Sequence, residues 1–285
     1  MAFSKLAKRV VAGAVLIPVV LLITYRGGLL FAGFAALLAA LGSSEFASMA
    51  SARGFRVSKL LVVPASGLVA LAFYFGTVGT AAIVMTVVAL LAMMERLARI
   101  DVQEYVLSVS LSVTAVAYTG WLLGFFILLR EFPVHTLRPE IAGSGDIGRA
   151  LVYLVLVLAW SNDSGAYFVG SAIGRRKLMA RVSPSKTVEG ALGGMAACVA
   201  AALISRATFA PFLGVWQAVL AGLLVGAACV VGDLAESMLK RSTGVKDSSN
   251  LIPGHGGLLD RFDSLLFAGP VFYLFARLAL SGVSL

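Results

Sequence analysis

Four polar blocks interrupt an otherwise apolar chain, and each carries residue types that handle phosphate or metal. The first is Trp160-Ser161-Asn162-Asp163-Ser164-Gly165-Ala166-Tyr167, which sets a carboxylate near the middle of an apolar segment. A charge inside a membrane helix is costly and more often marks function than a packing ion pair. The second is Gly174-Arg175-Arg176-Lys177 with Ser183-Pro184-Ser185-Lys186-Thr187-Val188-Glu189-Gly190. The Arg-Arg-Lys run reads as a membrane-boundary anchor. Pro184 suits a first helical turn and Ser183 suits its cap, so the spacing predicts a helix starting there. Backbone N–H groups at that start, with Lys186 beside them, make an anion site. Glu189, three residues on, is expected to hold Lys186 in place on the same helix.

The third block is Gly232-Asp233-Leu234-Ala235-Glu236-Ser237-Met238-Leu239-Lys240-Arg241. Asp233, Glu236, Ser237 and Lys240 recur at i, i+3, i+4 and i+7 and share one helical face. The fourth runs from Lys246-Asp247 through Gly254-His255-Gly256-Gly257 to Asp260-Arg261-Phe262-Asp263. Asp260 and Asp263 are three apart, so a regular helix turns both carboxylates the same way. Hard oxygen ligands, few in number and completed by phosphates, are the usual setting for Mg²⁺. A lone pair of this kind is also what a dipole-stabilised helix start looks like. With Asp233 at the same membrane face, Asp233, Asp260 and Asp263 become the candidate metal ligands. His255 serves equally as a turn residue or a substrate contact. A zinc site is not expected, since the chain's other histidine, His135, falls on the opposite side.

These blocks hang on a membrane scaffold. The chain has 285 residues, of which 60% are apolar and only 13% charged. A soluble domain is about 25% charged. Apolar segments near 10–25, 28–50, 57–75, 78–95, 105–129, 149–172, 187–205, 212–236 and 258–282 are candidate spans, given the need for about 20 apolar residues per crossing. The expected fold is therefore an all-α polytopic membrane protein of about nine helices. Residues 1–148 would carry helices one to five, and 149–285 the catalytic helices six to nine. With the N-terminus cytoplasmic and the C-terminus outside, 17 of the 23 basic residues fall on the cytoplasmic side and 6 outside. Such a bias is the positive-inside pattern, and it accounts for the net charge of +9 without nucleic acid as a partner. The basic N-terminus reads as part of a retained first helix rather than a cleaved signal. Cys198 and Cys229 lie in apolar segments without metal-ligand spacing and read as buried small residues.

The fourth block, joined to Ser237-Met238-Leu239-Lys240-Arg241, resembles the phosphatidate cytidylyltransferase family. The family's Ser-x-x-Lys-Arg, Lys-Asp, His-Gly-Gly and Asp-Arg-x-Asp signature is matched from Ser237 to Asp263, over 27 residues. The Asp163 and Ser183–Gly190 blocks resemble the family as well, so the likeness is strong over roughly 155–285. It implies an integral membrane enzyme that uses Mg²⁺, with a second cation open, and takes CTP and phosphatidic acid to CDP-diacylglycerol. It also implies a bacterial cytoplasmic membrane with the site on the cytoplasmic side, contact with membrane lipid, and an oligomeric state left open, a homodimer included. Asp163, Lys186, Asp233 and Asp260 are then the catalytic candidates. Ser183, Lys186, Thr187, Glu236, Ser237, Lys240, Arg241, Lys246, Asp247, His255, Gly256, Gly257 and Arg261 are the substrate-binding candidates. A CTP-dependent enzyme on another lipid, either an ether-lipid cytidylyltransferase or a lipid-alcohol kinase, is the nearest alternative. A transporter fits less well, because the sequence lacks repeats and its outer-half spans are apolar.

Overall fold

The computed structural model describes residues 2–98, 102–133, 137, 145–249 and 256–280, with side chains from residue 13 onward. His255 therefore lies outside the described residues. Nine helices are present among them: α1 (Ala2–Arg26), α2 (Gly28–Ala52), α3 (Lys59–Phe75), α4 (Val78–Ala98), α5 (Tyr105–Arg130), α6 (Ile147–Ile173), α7 (Val188–Thr208), α8 (Val215–Ser242) and α9 (Leu259–Leu280). Seven are long and apolar enough to cross a membrane, whereas α3 and the apolar part of α1 are shorter. The chain is a helical membrane protein. Among the described residues the helices α6 and α7 are joined by a short hairpin, β1 (Lys177–Met179) and β2 (Ser183–Thr187), paired antiparallel with Lys177 opposite Thr187 and Met179 opposite Ser183.

The chain forms two compact units. One comprises Met1–Leu128 with Leu239–Phe262, the other Leu129–Met238 with Asp263–Leu285. In the first unit, short connections stack α2, α3, α4 and α5 as successive neighbours. A widened π turn at Ala117–Trp121 in α5 sets Thr119 against α3, where its hydroxyl donates to Ser66 Oγ at 3.1 Å. In the second unit, α6 runs along α7. Their backbones come close because Gly165 and Gly194 carry no side chain. A Cβ on Gly165 would lie 2.8 Å from the carbonyl oxygen of Gly193, and one on Gly194 would lie 2.7 Å from Asn162 Oδ1. Asp146 opens α6, accepting from the Arg149 N–H at 2.9 Å and pairing with Arg130 at 3.0 Å.

Two local expectations are corrected. Ser183-Pro184-Ser185-Lys186-Thr187 is extended, and the helix begins at Val188. Thr187 caps it, accepting from the Gly190 N–H at 3.1 Å. Pro184 is compatible with a strand of a two-stranded hairpin, where no second neighbour needs its missing N–H. Consequently Glu189 does not hold Lys186. Its carboxylate accepts from the backbone N–H of Arg175 at 3.0 Å and of Arg176 at 3.1 Å, which pins the exit of α6 onto the start of α7. The second correction concerns α9. Phe262 leaves helical geometry (φ −130°, ψ 15°), so Asp260 and Asp263 flank a kink and the i, i+3 rule does not place them on one regular face.

Candidate functional site

Within the second unit, α6, the hairpin, α7 and α8 enclose a cavity of about 430 Å³. That is the size range of small-molecule sites. Helical spacing in α6 brings Asn162, Asp163, Ala166 and Gly170 to its wall. The extended β2 adds Ser185, Lys186 and Thr187, and α8 adds Asp233. The ammonium of Lys186 pairs with Asp233 Oδ2 at 2.5 Å. Asp263, just past the α9 kink, is within electrostatic reach of Asp233, Asp163 and Lys186. Asn162 is buried, and among the described residues its Oδ1 has no hydrogen-bond donor. Glu236, one turn beyond Asp233 on α8, is fully buried, and Ser237 is partly so. Ser183 stands at the start of β2, opposite Met179.

The donor set suits a divalent cation. Asp233 pairs with Lys186, the exposed Asp163 lines the same cavity, and Asp263 lies within electrostatic reach of all three. Mg²⁺ is held by one or two protein carboxylates, with waters and substrate phosphates completing its shell. Among the described residues no three His, Cys, Asp or Glu side chains converge tightly enough to hold a metal unaided.

The signature segment is organised separately, within the first unit. Lys240 Nζ donates to Asp260 Oδ1 at 2.6 Å. Asp260 Oδ2 accepts from the N–H groups of Ser248 at 3.1 Å and Gly257 at 2.8 Å, and lies 3.0 Å from Ser248 Oγ. The protein's own donors thus occupy both oxygens of Asp260. Gly256 has φ +79°, and a Cβ on it would lie 2.8 Å from Asp260 Oδ2, so the turn requires glycine. Gly257 packs directly against Ser248. Arg241, Lys246, Asp247 and Arg261 are exposed.

One residue that sequence reasoning missed holds this segment. Glu45, on α2, is 5% exposed. Its Oε1 accepts from Ser249 Oγ at 2.5 Å and from the Leu258 N–H at 2.8 Å. Its Oε2 accepts from the Leu259 N–H at 2.8 Å and lies 3.0 Å from Ser248 Oγ. A carboxylate more than 200 residues upstream in sequence therefore caps α9, where helix N–H groups lack internal partners. The available signal was its type and place: Ser43-Ser44-Glu45 inside an apolar helix. The cysteines behave as expected. Both are free and buried, and Cys198 donates its S–H to the Leu158 carbonyl at 3.1 Å.

Seven helices that can span a bilayer, with a cavity holding a Lys186–Asp233 ion pair, define the class as a helical membrane protein with a charged cavity. The chain belongs to the cytidylyltransferase family, whose model matches residues 7–279. It is 39% identical over 164 residues to a phosphatidate cytidylyltransferase of Bacillus subtilis, covering 58% of this chain and 56% of that one. It is 48% identical over 127 residues to a phosphatidate cytidylyltransferase of Pseudomonas aeruginosa, covering 44% and 47%. It is also 44% identical over 168 residues to YnbB of Escherichia coli, a protein described as uncharacterized, covering 59% and 55%. The matched part of the chain spans about half the length of these relatives.

Proposed function

We propose that this chain is a phosphatidate cytidylyltransferase: it transfers CMP from CTP to phosphatidic acid, giving CDP-diacylglycerol and pyrophosphate. The observation that carries the reading is the Lys186–Asp233 pair in a cavity walled by Asp163, within a chain of the cytidylyltransferase family. In the reaction a phosphatidate oxygen bonds to the α-phosphorus of CTP, and the bond from that phosphorus to the bridging oxygen of pyrophosphate breaks. The attacking phosphate is already an anion, so no strong general base is required. Positioning and charge neutralisation carry the catalysis.

Lys186 is the group best placed for that work. It is partly buried and pre-oriented by Asp233, and it exchanges part of that pairing for substrate phosphate oxygens. Glu189 and Thr187 hold the hairpin on the start of α7 and so keep Lys186 at the cavity wall. A bound Mg²⁺, which Asp233 and Asp263 would hold with Asp163 nearby, supplies neutralisation of the triphosphate charge. In the signature segment, Asp260 locks Lys240 as a fixed cation.

The finer topology belongs to the same proposal: nine spans, the N-terminus in the cytoplasm, the C-terminus outside, and the site at the cytoplasmic face of a bacterial inner membrane. It is supported by the distribution of basic residues and by the lipid and nucleotide chemistry of the substrates. Purified protein in detergent, given labelled CTP, phosphatidate and Mg²⁺, is expected to form a lipid-soluble cytidine product. If label enters lipid only with an ether-linked acceptor, or not at all, the substrate assignment fails.

A further inference from the structure

A second cavity, of about 370 Å³, is formed within the first unit where α2 ends, α3 begins and α4 ends. Ser51, Gly54, Arg56, Ser58 and Arg96 line it. Its electrostatics are those of an anion site. Arg96 is 3% exposed, and among the described residues its guanidinium makes one bond, from Nη2 to the Arg56 carbonyl at 2.9 Å. Its Nε is buried and has no acceptor among the described residues. A guanidinium carries five N–H donors, and a buried charge is costly unless it is paired. Among the described residues no carboxylate pairs with Arg96. The nearby carboxylate of Glu104 lies 3.5 Å from Arg56. The Ser58 side chain makes no cap bond to α3.

The surface beside the cavity is apolar. Leu60, two residues after Ser58, is 92% exposed, and Leu97, next to Arg96, is 70% exposed. A cationic, hydroxyl-bearing cavity bordered by exposed leucines matches a phosphate group attached to acyl chains. Basic residues at a membrane surface also attract anionic lipids.

We propose that this cavity binds a phosphate-class anion through Arg96, with Arg56 and Ser58 completing its contacts, as a site additional to the Lys186 cavity. Planar guanidinium groups match phosphate geometry bidentately. The headgroup of an anionic phospholipid and free inorganic phosphate share that chemistry, and the experiment separates them. The full chain, purified in detergent, is titrated with phosphatidylglycerol and with phosphatidylcholine, and bound lipid is counted by native mass spectrometry. Phosphatidylglycerol is a phosphodiester that the proposed reaction does not consume, and substitutions at Arg96 and Ser58, outside the Lys186 cavity, assign the bound lipid to this one.

The wild type is expected to retain phosphatidylglycerol in preference to phosphatidylcholine. Arg96→Gln should weaken retention by about tenfold or more, as loss of a charged hydrogen-bonding group does, and Arg96→Lys by less. Because a buried arginine can be needed for folding, Ser58→Asp provides the second arm. Aspartate is a favourable helix cap, yet it places a negative charge at the cavity and should expel the anion. Displacement of the lipid by millimolar inorganic phosphate identifies a free-phosphate site, and resistance to it identifies a headgroup site. The proposal is overturned if the wild type shows no preference for phosphatidylglycerol and no binding of phosphate, or if Ser58→Asp retains the anion as the wild type does.

Discussion

Replacing Glu45 should disable the signature segment without touching the cavity that holds Lys186. Glu45 accepts from two backbone N–H groups at the start of α9, those of Leu258 and Leu259, and from the hydroxyl of Ser249, with Ser248 Oγ also in range. In Glu45→Ala both N–H groups lose their acceptor, the one of Leu259 buried and the one of Leu258 partly so. A buried loss costs about 1–3 kcal/mol, so the backbone contribution is at least that for Leu259, with a smaller addition from the part-buried Leu258. Glu45→Gln keeps one acceptor oxygen but turns an NH₂ toward the donors on its other side, so its cost should fall between the wild type and Glu45→Ala. Ser248 and Gly257 also donate to Asp260, which fixes Lys240, so loosening them should release Lys240 as well. The assay is thermal unfolding in detergent, followed by tryptophan fluorescence, alongside cytidine incorporation into lipid below the unfolding temperature. The expected order of both stability and activity is wild type, then Glu45→Gln, then Glu45→Ala. If Glu45→Ala unfolds at the wild-type temperature and turns over at the wild-type rate, the carboxylate does not cap α9 and the reasoning fails.

Three other outcomes follow from the site. Lys186→Gln should lower kcat/KM roughly a hundredfold, since removing a donor that acts in the transition state costs about 3 kcal/mol. Arg176→Gln, whose side chain is exposed, should cost far less, and equal effects from the two would reduce Lys186 to a boundary marker. Asp233→Asn and Asp263→Asn should each abolish turnover and shift its Mg²⁺ dependence while the protein remains folded in membranes. Wild-type Mg²⁺ titration curves for both variants would remove these residues as ligands. A cysteine at position 180 should react with an impermeant thiol reagent only from the cytoplasmic side, and one at position 140 only from outside. Labelling of both from one side contradicts the nine-span topology.

The membrane helices were legible in the sequence because a bilayer imposes a local rule. Each crossing needs a long apolar run whose backbone is satisfied within itself; all nine apolar segments are helical among the described residues, seven of them long and apolar enough to cross, though α1 starts eight residues earlier and α8 ends six residues later than expected. Asp163 and Asp233 stood out for the same reason, since charge is conspicuous inside an apolar helix, whereas Lys186 stood out by its place in a polar Ser-Pro-Ser-Lys-Thr segment. What tertiary structure alone decided lay outside that rule. Ser183–Thr187 has the local signs of a helix start, but its strand exists through pairing with Lys177–Met179, a partner that cap and proline preferences do not register. The spacing of Asp260 and Asp263 promised a shared face only while the helix stayed regular, and Phe262 breaks it. Glu45 carries no local sign of its partners. Its contacts are with Ser248, Ser249, Leu258 and Leu259, more than 200 residues along the chain, and only folding brings those unsatisfied N–H groups to a carboxylate buried in α2.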